Sequence, residues 1–81
     1  FLKEVFEIIT FNNYQGALED YKQCLEINSQ NYECYNNRGY LKKNHLKDHL
    51  GALEDYTKAI EINPLYFIAY YNRALLNEDH F

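Results

Sequence analysis

The stretch Gly16-Ala17-Leu18-Glu19-Asp20-Tyr21 returns letter for letter as Gly51-Ala52-Leu53-Glu54-Asp55-Tyr56, a shift of 35 residues. The same shift carries Glu26-Ile27-Asn28 onto Glu61-Ile62-Asn63, Tyr35 onto Tyr70, Asn37-Arg38 onto Asn72-Arg73, Leu41 onto Leu76 and His45 onto His80. The copy therefore extends well beyond one helix. An internal period of this size marks a stack of supersecondary units that bury their apolar faces against one another.

At 81 residues the chain is one domain or a piece of one. Nine tyrosines and five phenylalanines supply the core material and exclude a disordered chain. The net charge of -4 and the absence of a basic stripe argue against nucleic acid as a partner. No apolar run approaches the ~20 residues of a membrane span, so no membrane insertion is expected. The chain starts at Phe1 and contains no methionine, which suggests a fragment or processing. Cys24 and Cys34 fall on Ala59 and Ala69 under the shift, so each stands where the other copy has a small apolar residue. Packed free thiols are the expectation, and reduced thiols lean weakly towards an intracellular setting.

Apolar spacings of three and four over Leu2, Val5, Phe6, Ile8, Ile9 and Phe11 predict a first helix. Asn12-Asn13 then predicts a turn before a second helix from about Tyr14 to Ile27. The polar connector Asn28-Ser29-Gln30-Asn31 can end that helix and cap a third, about Tyr32 to Asn44. A fourth helix, about His49 to Ile62, carries Ala52, Tyr56, Ala59 and Ile60 inward and stops at Asn63-Pro64, where proline removes a donor. A fifth runs from about Tyr66 to Asp79. Small residues beside tyrosines on one face are a packing device, and Gly39 within the third helix implies that a neighbouring helix approaches closely.

At these residues the sequence resembles the tetratricopeptide repeat, a helix-turn-helix unit with the signature Trp-x2-Leu-Gly-x2-Tyr, Ala-x3-Phe, Pro. Tyr35 stands for the tryptophan, Arg38-Gly39 for Leu-Gly, Ala52 and Tyr56 for Ala-x3-Phe, and Pro64 for the proline; Lys42 departs from the expected tyrosine, and Ser29 stands where the first unit would have proline. The resemblance implies an all-α fold of antiparallel helix-turn-helix repeats stacked in a right-handed superhelix, here with five helices. It covers residues 1-81 as a single domain of about two and a half repeats: repeat 1 about 1-29, repeat 2 about 30-64 and a partial repeat 3 about 65-81.

The resemblance also implies a concave groove that binds a protein or peptide segment, with no catalytic residues and no cofactor. Its groove residues would be Asn36, Asn37, Tyr40 and Lys43 from the third helix and Tyr71, Asn72 and Leu75 from the fifth, with Leu2, Phe6 and Ile9 from the first. An asparagine amide offers both donors and an acceptor, so Asn37 and Asn72 suit a ligand backbone. Arg38 and Arg73 are expected to bond Glu54, Asp55 or a helix end rather than a ligand, while Glu19-Asp20 and Glu54-Asp55 are expected to form a solvated face. His45 and His49, with Asp48 between them, have a spacing that can hold a metal, but they fall in a predicted turn and no metal is expected. Phe67, Tyr70, Leu75 and Leu76 of the unpaired last helix leave apolar surface to cover, so the alternative to a peptide-binding module is a spacer or self-assembly element.

Overall fold

Four helices follow one another: α1 (Leu2–Ile27), α2 (Tyr32–Asn44), α3 (His49–Ile62) and α4 (Phe67–His80). The structure, a computed structural model, describes the backbone of residues 2–80 and the side chains of Glu4 and of residues 13–79. Successive helices pack as neighbours, and α2 also meets α4, giving a slab of 46 × 33 × 16 Å. No helix among the described residues is long and apolar enough to cross a membrane.

The expected five helices are four, because no turn forms at Asn12-Asn13 and α1 runs through it. An asparagine in a helix interior costs only about 0.7 kcal/mol, whereas breaking the helix there forfeits backbone hydrogen bonds and requires a second nucleation. The corresponding pair in the second copy, Lys47 and Asp48, does make a break. Lys47 takes a positive φ of 58° and Asp48 accepts from the Gly51 N–H at 3.0 Å, which starts α3.

The other boundaries fall where the local chemistry puts them. Asn28 and Asn63, equivalent under the shift, each accept from the backbone N–H two residues on, at 3.0 and 3.1 Å. Asn31 then caps α2 by accepting from the Cys34 N–H at 3.0 Å. Ala52, Tyr56, Ala59, Ala69 and Leu76 are fully enclosed, so the core lies between α2, α3 and α4. Leu76, expected to need covering, is already covered.

Cys24 and Cys34 are joined by a disulfide, with Cα atoms 6.8 Å apart, so the expected free thiols are corrected. The intracellular lean drawn from reduced thiols loses its footing with them. The equivalent positions in the second copy, Ala59 and Ala69, are both buried where α3 meets α4. One helix junction is thus closed by alanine packing and the other by a covalent bond. Neither cysteine has a second copy with which to pair, and a small apolar residue looks the same in sequence whether it packs or bonds. Closing a loop with a sequence separation of 10 should stabilise the fold by about 2–3 kcal/mol. Thermal melts with and without dithiothreitol should therefore separate, the reduced chain melting lower; superimposed melts would mean that the bond contributes nothing.

Candidate functional site

The two sides of α2 are used differently. One side meets α3 in a close joint. Gly39 permits it: a Cβ built there would lie 2.8 Å from Cε1 and 3.0 Å from Cδ1 of Tyr56. Beside that contact, Arg38 donates from Nε and Nη2 to the two carboxylate oxygens of Asp55, both at 2.8 Å, and Lys42 Nζ lies 3.1 Å from Oδ2. Asp55 is 3% exposed, so its expected place on a solvated face is corrected. It lies three residues after Ala52 and four before Ala59, on the same buried face of α3. The expectation that Arg38 bonds within the fold is met. Hydrogen bonding to Asp55 raises the Arg38 pKa further above its ordinary value, with burial opposing. Arg38 also lies 5.5 Å from the Tyr35 ring centroid. Burial, then Tyr40 and Asp55, push the Tyr56 hydroxyl up to about 12, so it stays protonated at neutral pH.

The other side of α2 runs along α4, and here the sequence-named residues come together. Asn72 Nδ2 donates to Asn36 Oδ1 at 3.1 Å, and Lys43 Nζ donates to Asp79 Oδ2 at 3.2 Å. These bonds tie the two helices into one face. Asn36 is 4% exposed and held within it, whereas Asn37 is exposed. Tyr40 and Tyr71 stand out at 52% and 63% exposure, and Leu75 is half-buried between Tyr71 and Asp79 along α4. The pairing residue Asp79 is missing from the sequence-named set. Only its position seven residues after Asn72, on one helical face, signals it. The first-helix candidates Leu2, Phe6 and Ile9 lie outside the residues whose side chains are described.

The histidines are taken up differently. His45 stacks on Tyr14, with centroids 4.4 Å apart. Among the described residues no group of three or more His, Cys, Asp or Glu side chains is placed to hold a metal. A cavity of about 390 Å³ borders Leu53, Glu54, Thr57, Lys58 and Glu61. All five belong to α3, and none is a groove candidate.

The sequence model of the tetratricopeptide repeat family matches residues 9–31 and 32–64. No curated protein and no solved structure matches the chain.

Proposed function

The chain belongs to the tetratricopeptide repeat family, with two matched repeats, and from that premise we propose that the α2/α4 face binds an extended or helical segment of a partner protein. Repeats of this family are protein–protein interaction modules. The observation that carries the proposal is the tethering of α2 to α4 by Asn36–Asn72 and Lys43–Asp79 with Tyr40 and Tyr71 left exposed beside the bonds. Rigid aromatic side chains on a pre-ordered face anchor a ligand at low entropic cost. Asn37 offers its amide to a ligand backbone, and Leu75 adds apolar contact. Asn72 does two jobs: it spends a donor on Asn36 and keeps an acceptor for the ligand.

In this reading the division is repeat 1 about 1-29, repeat 2 about 30-64 and partial repeat 3 about 65-81. Further units stacked in the same sense would continue a right-handed superhelix with this face concave. The module catalyses nothing and needs no cofactor or metal. Its partners are proteins rather than nucleic acid.

A peptide in so short a groove should bind with Kd on the order of micromolar. Peptides selected from a displayed random library against the whole chain provide the probe. Tyr71→Ala and Asn37→Ala should each weaken the selected peptides about tenfold, and Glu54→Ala on α3 should leave them unchanged. Binding that ignores Tyr71 and Asn37 but falls with Glu54 would remove the groove.

A further inference from the structure

Resting on the α2/α4 face as the binding surface, we propose that the partner segment it takes is basic, and that an arginine is the residue it recognises. The two tethers lay the face out as a ladder. Asn36 to Lys43 on α2 and Asn72 to Asp79 on α4 are both steps of seven residues, so the two helices run side by side in one direction with rungs about 10 Å apart. Tyr40 lies between the rungs on α2, less than one turn from Lys43, and Leu75 lies between them on α4. Tyr71 and Asn37 stand beside the first rung. Although α2 is an interior helix with neighbours before and after it in the chain, its Glu33, Asn37 and Tyr40 are exposed.

The charge that reaches solvent on this face is negative. The Lys43 side chain is 12% exposed and committed to Asp79, whose own side chain is 56% exposed. Asp79 spends Oδ2 on Lys43 and, among the described residues, takes no bond at Oδ1. An acidic segment would meet like charge at Asp79 and Glu33, with Lys43 already occupied. The tyrosines add a second, independent preference. Both arginines of the chain lie over a tyrosine ring, Arg38 5.5 Å from the Tyr35 centroid and Arg73 5.7 Å from that of Tyr70, and Arg38 also forks onto Asp55. Tyr40 and Tyr71 are exposed, and among the described residues neither ring has a cation over it. A guanidinium can stack on a ring and bond a carboxylate at once, which a lysine ammonium does less well. An arginine of the partner set over Tyr40 and bonded to Asp79 Oδ1 repeats, across the interface, the ring-and-carboxylate arrangement of Arg38. An extended segment rises ~3.3 Å per residue, so the part of it that meets the Asn37 and Asn72 amides lies about three positions from that arginine.

Selection from the displayed random library against the whole chain tests this, with Tyr71→Ala and Asn37→Ala identifying the peptides that sit on the face. Those peptides should carry an arginine. Replacing it by citrulline, which keeps the shape and removes the charge, should weaken binding at least about tenfold. Asp79→Asn should weaken the arginine peptide by a similar factor and leave the citrulline peptide within about twofold, because the two groups act on each other. Raising the salt from about 50 to about 500 mM should weaken the arginine peptide and spare the citrulline one. Face-bound peptides without arginine, citrulline binding as tightly as arginine, or an equal loss of both peptides on Asp79→Asn would each overturn the arginine proposal while leaving the face in place. Equal loss would mean that Asp79 only holds α4 to α2. Peptides indifferent to both Tyr71 and Asn37 would instead remove the face itself, and this inference with it.

Discussion

Asp55→Asn should lower the unfolding free energy by about 3 kcal/mol, at the lower end of the ~3–5 kcal/mol seen when one partner of a buried ion pair is removed. Asp55 is 3% exposed and accepts from Arg38 twice at 2.8 Å, with Lys42 at 3.1 Å. Neutralising it leaves two cations facing a buried amide. The cost stays at the low end because the Arg38 and Lys42 side chains keep 23% and 20% of their exposure and recover some hydration. The internal control is Asp20→Asn, the same letter in the same six-residue stretch. Asp20 is exposed, so the monomer should lose less than about 0.5 kcal/mol. Urea unfolding by linear extrapolation at low protein concentration measures both. Equal losses at the two sites would mean that the Arg38–Asp55 pair does not hold α2 to α3.

Gly39→Leu should cost at least as much, on the order of 3 kcal/mol or more. The first added carbon would already lie 2.8 Å from the Tyr56 ring and 3.2 Å from Asp55 Cβ. Tyr56 is fully buried and cannot swing away. Gly39→Ala is the graded case: the helix gains about 1 kcal/mol of propensity and loses about 1–3 kcal/mol to overpacking, so a modest net loss is expected. Gly16→Ala should do the reverse. With nothing within 4 Å of its Cβ position, only the propensity gain remains, about 1 kcal/mol or roughly 4–8 °C in Tm for a domain of this size. Calorimetry on the three variants should therefore give two shifts downwards and one upwards. An upward shift for Gly39→Ala as large as that for Gly16→Ala would show that the helices do not meet as closely as the structure places them.

These contrasts also explain what the sequence made legible. The start of α2 and the end of α3 were readable because each has its own chemistry, Asn31 as a cap and Asn63-Pro64 as a stop, whereas the start of α3 and the extent of α4 were read only from the repeat and the Asp48 cap went unrecognised. The close approach at Gly39 was readable from the energetic oddity of glycine within a helix. The break at Asn12-Asn13 was misjudged because asparagine permits a turn without enforcing one, and only the Lys47–Asp48 copy takes it. Asp55 looked solvated because a duplicated acid carries no mark of its partner; the same residue is buried in one copy and open in the other. The disulfide was hidden by the opposite effect, since both cysteines align with alanines. For the peptide face, the shift made Asn37 and Asn72 equivalent, but the bond across the helices runs from Asn72 to Asn36. Equivalence under a repeat identifies the same role in successive units, whereas a contact between units joins different positions.

A protein-binding face along α2 and α4 can be mapped residue by residue in solution. It is tested most directly by titrating a library-selected peptide into the isotopically labelled chain and following amide chemical shifts. The largest changes should fall on Asn37, Tyr40, Tyr71 and Leu75, with the α3 residues Glu54, Lys58 and Glu61 unmoved. Changes concentrated on those α3 residues, with Tyr40 and Tyr71 silent, would contradict it.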